Sequence, residues 1–383
     1  MTGAVLPGAT IGVMGGGQLG RMFTIAARRM GYRIHVFTPE ENSPTGQVAD
    51  FVTIAAYADE NAIRRFARSV HVLTFEFENI PVETIEWCAR EIEVRPAGAV
   101  LHIAQHRLRE KTFLRDSGFP VAPFRPVNSA GELAAALEQI ERPSILKTAA
   151  WGYDGKGQQS ISARVDIEEI WGARSGDNLV LEQAIDFECE VSAIVARDSD
   201  GNVRTFPIAE NIHKNHILDI TIVPARIATS LEKRAAELAE SIAEKLELVG
   251  ILAVEMFVEK SGELLVNELA PRPHNSGHWS IEGCATSQFE QHLRAVCGLP
   301  LGSVQLLKPS AMSNLLGDVW QSGEPNWAAA LAEPNVHLHL YGKSEARPRR
   351  KMGHLTAVAD TCEAAAKHVQ RARDSLVSAE SAN

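Results

Sequence analysis

The sequence predicts an α/β fold: an N-terminal parallel βαβ domain, then a smaller and a larger α+β segment. Three observations carry that prediction. Short apolar runs alternate with helix-period segments over the first third of the chain. A glycine turn, Gly15 to Gly20, closes the first apolar run and opens a helix. Further on, two apolar runs flank a Ser261–Gly262 turn, as in an antiparallel strand pair.

The elements follow in order. Ile11, Val13 and Met14 form the first strand, and Leu19, Met22, Phe23, Ala26 and Met30 recur at helical spacing until Gly31 stops the helix. Arg33 to Phe37, Phe51 to Ile54 and Val72 to Phe75 read as further strands. One long helix is expected from about Ala99 to Ser117, closed by Gly118, and Pro120, Pro123 and Pro126 read as a linker. Ser129 and Glu132 form a capping box for the next helix. Ser144 to Lys147, Leu179 to Gln183 and Cys189 to Ala196 read as strands, with a glycine-rich loop from Trp151 to Gln159 and an Asp200–Gly201 turn. Thr229 and Glu232 read as the capping box of a helix reaching about Leu248. Gly250 to Val258 and Leu264 to Leu269 are the strands around Ser261–Gly262. Ser287 and Glu290 cap a last helix that Gly298 ends, and Val336 to Tyr341 is a late strand. The expected domains are 1–122, 123–200 and 201–383.

With 38 basic and 48 acidic residues among 383, the net charge is −10. That excludes a generally basic nucleic-acid binder. Five scattered cysteines without a C-x-x-C pair point to a reducing, cytoplasmic setting without a zinc ribbon. No leader segment and no apolar run of membrane-spanning length are expected.

The residues that carry chemistry fall in five places. Gly15-Gly16-Gly17-Gln18-Leu19-Gly20 fits G-x-G-x-x-G, and its amides can receive an anion. A dinucleotide site would need an acid at the end of the second strand, where Thr38 stands. A phosphate or small-substrate loop is therefore preferred, with a ligand-free turn as the alternative. Gly152-Tyr153-Asp154-Gly155-Lys156-Gly157-Gln158 follows Lys147 and suits a flap over nucleotide phosphates, or else a surface hairpin. Glu255 interrupts a wholly apolar strand, and Asn267 and Glu268 end its neighbour. Buried carboxylates need a partner, and two of them with an amide oxygen suit Mg²⁺. Arg272, His274, Asn275 and Ser276 crowd donors beside that pair, where an anionic acyl or phosphoryl species would be stabilised. His274 and His278 are four apart, but Pro273 and Gly277 argue against a helical zinc pair. Finally Lys343, Arg347, Arg349, Arg350 and Lys351 form a basic run that suits a phosphate ester or a solvated loop.

The order of these features resembles the ATP-grasp superfamily. Within it, GGGQLGRM at Gly15–Met22, GYDGKGQ at Gly152–Gln158, NELAPRPHNSGH at Asn267–His278 and the run from Arg347 to His354 resemble the 5-(carboxyamino)imidazole ribonucleotide synthases over nearly the whole chain. The resemblance implies a two-part ATP-grasp fold after the N-terminal domain, with a small α+β lid and a larger α+β C-terminal domain. It implies ATP contacts at Arg107, Lys147, Gly152 to Gln158, Glu182, Gln183, Ala184, Ile185, Glu190, His213, Asn267 and Glu268, with Mg²⁺ on Glu255 and Glu268. Arg272, His274, Asn275 and Tyr153 would serve catalysis at the bicarbonate end. Gln18, Glu76, Arg272, Lys343 and Arg350 would contact the ribonucleotide. The implied reaction is ATP-dependent carboxylation of 5-aminoimidazole ribonucleotide through carboxyphosphate, in a cytoplasmic homodimer of purine biosynthesis. A formate-using ATP-grasp transformylase and a non-catalytic nucleotide-binding regulator remain open alternatives.

Overall fold

The computed structural model describes residues 3–150, 157–162, 166–172 and 178–377. The N-terminal part runs β1 (Thr10–Met14), α1 (Gln18–Arg29), β2 (Arg33–Thr38), β3 (Phe51–Ile54), α2 (Glu60–Ala67), β4 (Val72–Phe75) and α3 (Val82–Ala89). Its strands form one parallel sheet in the order β3-β2-β1-β4. β1 and β4 are buried along their whole length, which is why both read as continuous apolar runs.

Two helices follow, α4 (Gly98–Ala104) and α5 (Arg107–Asp116). The single helix expected over this stretch is broken at Gln105 and His106. His106 leaves the helical region to bridge Ala150, and the Arg107 amide donates to the Ala149 carbonyl at 2.7 Å. Tertiary pairing thus overrides a continuous helical pattern.

The small sheet comes next, with β5 (Phe124–Val127), α6 (Ala130–Gln139), β6 (Ser144–Thr148), β7 (Gln158–Ile161), α7 (Ile167–Gly172) and β8 (Leu179–Gln183), in the order β5-β8-β6-β7. Pro126, expected in a linker, lies within β5, an edge strand where a missing N–H costs no ladder bond. Ser129 caps α6 by accepting from the Glu132 amide at 3.1 Å, while the Glu132 carboxylate takes the Asn128 amide at 2.7 Å.

The remainder builds one large sheet. Its elements are β9 (Phe187–Arg197), β10 (Val203–Thr205), β11 (Ala209–Lys214), β12 (Ile217–Val223), α8 (Thr229–Lys245), β13 (Gly250–Glu259), β14 (Leu264–Ala270), α9 (Ser280–Gly283), α10 (Gln288–Cys297), β15 (Ser310–Leu316), α11 (Trp327–Leu331), β16 (Val336–Leu340), β17 (Lys351–Val358) and α12 (Cys362–Asp374). The order is β14-β13-β9-β11-β12-β15-β17-β16, with β10 on β9. Sheet membership changes between Gln183 and Phe187, so β9 belongs to the large sheet although the expected boundary at 200 grouped it with the small one. α8 carries no capping box: Ala228 is its N-cap, and Thr229 is already helical. Ser287 and Gly298 do cap α10, with Gly298 left-handed at φ 68°.

α10 ties the N-terminal sheet to the large sheet. Phe289, Leu293, Val296 and Cys297 pack with Ile11, Val13, Leu19, Phe23 and Val72 of the N-terminal sheet. Each fully buried Leu or Phe there contributes about 1.5–3 kcal/mol. This contact holds the mouth of the N-terminal sheet against the end of β14. Among the described residues no helix is long and apolar enough to cross a membrane.

Candidate functional site

The site begins with a strand register. The tight turn between β13 and β14 sets Glu255 opposite Glu268, and the ladder slips beside this pair because Asn267 is an extra residue on β14. Burial and the neighbouring Glu268 push the Glu255 carboxyl up to about 7. His274 Nε2 lies 3.6 Å from Glu255 Oε1. Burial and the Arg272 charge hold His274 well below the usual imidazole range, so it is neutral.

A cation-rich cluster stands beside the pair. Glu182, at the end of β8, is buried, and its Oε2 lies 2.9 Å from Lys147 Nζ and 3.2 Å from Lys111 Nζ. Arg107 spans 4.0 Å to Glu182 and 3.7 Å to Glu268. Burial alone would raise the Glu182 carboxyl, but Lys111, Lys147 and Arg107 together hold it at about 2. Glu190 on β9 pairs with His213 on β11 at 2.6 Å. Burial opposes the charge on His213, but Glu190 prevails and shifts the imidazole upward. Gln183 and Ala184 donate their amides to the Pro123 and Pro143 carbonyls, each at 2.9 Å, and half-buried Ile185 follows before β9. Gly157 has φ +75°, and its carbonyl accepts from the Thr148 amide. Gln158 pairs with Lys147 in the strand register. Gly152, Tyr153, Asp154, Gly155 and Lys156 lie outside the described residues.

On the other side of His274 opens a cavity of about 820 Å³. Gln18, Glu76, Glu78, Arg272, His274, Asn275, Lys343 and Arg350 line it. Asn275 is buried, and both polar atoms of its amide are without a partner, as expected of a group that receives a ligand. Arg272 Nε lies 2.7 Å from Glu78 Oε1, and its NH1 donates to the Pro273 carbonyl at 3.0 Å. Lys343 Nζ donates to Gln18 Oε1 and to the Lys351 carbonyl. Arg350 NH1 donates to the Glu345 carbonyl at 3.0 Å.

Two amides of the glycine turn are taken up within the chain, while Gly16 to Leu19 line the cavity. Glu76 accepts from the Gly17 amide at 2.8 Å and from the Gly20 amide at 3.3 Å, so the chain's own carboxylate occupies the start of α1. A Cβ on Gly17 would lie 2.6 Å from Glu76 Oε1, and one on Gly16 would lie 2.5 Å from the Ser43 Cβ. These glycines admit Glu76 and Ser43.

Three family models match the chain. They describe a ribonucleotide synthetase preATP-grasp domain over residues 8–105, an ATP-grasp domain over 112–289 and a phosphoribosylaminoimidazole carboxylase C-terminal domain over 310–368. The N5-carboxyaminoimidazole ribonucleotide synthase of Bacillus subtilis is 47% identical over 352 residues, covering 92% of each chain. The chain belongs to the N5-carboxyaminoimidazole ribonucleotide synthase family of ATP-grasp ligases. A bifunctional purine synthesis protein of Dictyostelium discoideum is also 47% identical, and the match spans 37% of that longer protein. A structure of the ADP complex of a family member superposes with a TM-score of 0.92 at 44% identity, covering 97% of this chain and 98% of the other. An Aspergillus clavatus member, solved with ADP and 5-aminoimidazole ribonucleotide, gives 0.88 at 33% identity, with coverages of 96% and 98%.

Three residues beside these clusters carry no motif in the sequence. Glu78 is two residues past Glu76 on the bent segment after β4, and its closeness to Glu76 is its only signal. Glu110 and Lys111 lie on the buried side of α5. Glu110 accepts from the Leu269 amide at 2.6 Å, and burial with the Glu268 charge raises its carboxyl to about 8. The i,i+4 spacing of Arg107 and Lys111 puts two cations on one helix face, a pattern that charge spacing can reveal.

Proposed function

We propose that the chain carboxylates the amine of 5-aminoimidazole ribonucleotide at the expense of ATP and bicarbonate, giving 5-(carboxyamino)imidazole ribonucleotide, ADP and phosphate in de novo purine biosynthesis. The observation that carries this reading is the position of His274. It stands on the wall of a cavity large enough for a ribonucleotide and 3.6 Å from Glu255 of the carboxylate pair. One continuous site can therefore serve two substrates.

ATP lies against Lys147, Arg107, Glu182 to Ile185, Glu190, His213 and Asn267, and the residues from Gly152 to Gln158 supply further contacts to it. Glu255 and Glu268 suit Mg²⁺, because burial and the Glu268 charge disfavour ionised Glu255, and Arg107, 3.7 Å from Glu268, is shared with Glu182. Among the described residues no group of three or more His, Cys, Asp or Glu forms a metal cage. Mg²⁺ takes a few protein oxygens and completes its shell with phosphate and water. When bound, Mg²⁺ offsets charge on the phosphates.

A bicarbonate oxygen attacks the γ-phosphorus, and ADP leaves. Arg272, oriented by Glu78, holds the carboxyphosphate, while His274 and the unpartnered amide of Asn275 supply hydrogen bonds around it. The ribonucleotide sits with its phosphate toward Lys343 and Arg350 and its ribose toward Gln18 and Glu76. Its amine attacks the carboxyl carbon, directly or after CO₂ release. Phosphate leaves and the amine loses a proton. Tyr153 completes the catalytic set. Water exclusion matters because carboxyphosphate is short-lived. The five free cysteines support a cytoplasmic setting, and a homodimer is expected on sedimentation.

The test is ADP formation with ATP, Mg²⁺, bicarbonate and 5-aminoimidazole ribonucleotide, each omitted in turn. Full activity requires all four. ADP formation indifferent to the ribonucleotide, or supported by formate instead of bicarbonate, would overturn the assignment.

A further inference from the structure

Glu182 is one buried carboxylate facing two ammonium groups. Lys111 Nζ and Lys147 Nζ approach the same oxygen, Oε2, at 3.2 and 2.9 Å, and Arg107 stands 4.0 Å from the other oxygen. The two lysines differ in their settings. Lys147 ends β6, in register with Gln158 at the root of the glycine-rich segment, and donates a hydrogen bond to Glu182. Lys111 projects from α5, is fully buried, and makes no hydrogen bond through Nζ. A buried ammonium without a hydrogen bond is costly, and one cation already neutralises Glu182 in charge count. The second ammonium leaves this pocket with surplus positive charge beside the carboxylate pair.

We propose that Lys111 is the standing counter-ion of Glu182, which lets Lys147 leave that carboxylate for the phosphates of the nucleotide. The inference rests on the reading of the Lys147 cluster as the nucleotide site. Lys147 cannot serve an incoming phosphate and Glu182 fully at once. Without Lys111, its departure would leave the buried carboxylate facing only Arg107, 4.0 Å away and shared with Glu268, next to the polyphosphate. Lys111 is enclosed and cannot follow the ligand, so its charge stays with Glu182 in both states. Lys111 is thus a positioning residue that acts through Lys147 and Glu182 without touching the nucleotide.

The experiment is calorimetric titration of the full chain with ADP and Mg²⁺, alongside thermal melts. Lys111→Met is expected to weaken ADP binding at least 10-fold. Lys111→Met combined with Glu182→Gln, which removes the stranded charge, is expected to recover at least threefold of that loss. Lys111→Arg, which keeps the charge, should bind within threefold of the parent. A purely structural lysine would lower the melting temperature of Lys111→Met without this pattern of loss and recovery. Parent-like ADP binding by Lys111→Met, or a double variant no better than the single one, overturns the proposal. If Lys111→Met does not fold, a 10-fold or greater loss in folded Lys111→Arg overturns it, and binding within that limit supports it. Lys147→Met tests the underlying reading separately: undiminished ADP affinity there would remove the nucleotide assignment, whatever Lys111 does.

Discussion

Arg272 and Glu78 join the two halves of the site. The guanidinium Nε lies 2.7 Å from the Glu78 carboxylate, so a residue just past β4 of the N-terminal sheet fixes the arginine that follows β14 of the large sheet. Burial works against the Arg272 charge, and Glu78 sustains it. Both residues line the same cavity. A residue of the N-terminal sheet thus positions an arginine of the large sheet, which under the proposed function joins the ribonucleotide and bicarbonate ends of the site.

Glu78→Gln should therefore disturb chemistry more than nucleotide binding. Arg272 would keep its bond to the Pro273 carbonyl but lose its ionic partner. Displacement of a positioned group by a fraction of an ångström to an ångström costs roughly 10- to 100-fold in rate. We expect kcat for bicarbonate-dependent ADP formation to fall by about that factor, with ADP affinity within threefold of the parent. Unchanged kcat would show that Glu78 does not set the arginine.

Glu268→Gln should abolish ATP turnover and leave the fold intact. Glu268 pairs in register with Glu255, and its side chain is partly exposed, so the amide is accommodated. Circular dichroism and melting should match the parent. Near-normal ADP release would remove Glu268 from the metal site.

Lys343→Met should raise KM for the ribonucleotide about 10-fold or more and leave KM for ATP nearly unchanged. Lys343 is held by Gln18 and the Lys351 carbonyl on the cavity wall, away from the Lys147 cluster. A parallel rise in both constants would argue for a general loosening of the fold instead.

Buried histidines should weaken the protein as pH falls, against the opposite pull of Glu110 and Glu255, whose carboxyls are raised to about 8 and about 7 in the fold. His292 is buried between Thr74, 2.9 Å from its Nε2, and the edge of Phe23, and burial lowers its pKa to about 3. Burial also holds His278 and His354 well below the usual imidazole range. An unfolded histidine binds its proton near pH 6.5, so between that value and about 3 the unfolded state holds more protons. Stability then rises with pH and falls as pH drops through this window. Each such histidine adds a slope of up to about 1.4 kcal/mol per pH unit. Urea midpoints measured from pH 7 to 4.5 should fall, and His292→Gln should flatten the fall by about one histidine's share. An unaltered slope in that variant would exclude His292 as a contributor.

Local chemistry made much of this molecule legible. The period of the apolar residues marked β1, α1, β2, β3 and β4, and the caps at Ser129, Ser287 and Gly298 depend only on neighbours within a few residues. The Glu255–Glu268 register was readable because Ser261–Gly262 joins its two strands directly. The donors from Arg272 to Asn275 were readable because they are consecutive. Tertiary structure alone decided the rest. Glu76 fills the glycine turn because β4 lies beside β1, and no feature of the turn's own sequence announces that. The helical pattern breaks at His106 because Ala149 and Ala150 take its backbone bonds. β9 joins β13, far along the chain, and Lys111 finds Glu182 only after α5 and β8 have packed. Propensity and turn chemistry act over a few residues, whereas burial, charge pairing and sheet closure depend on which distant segments the folded chain brings together.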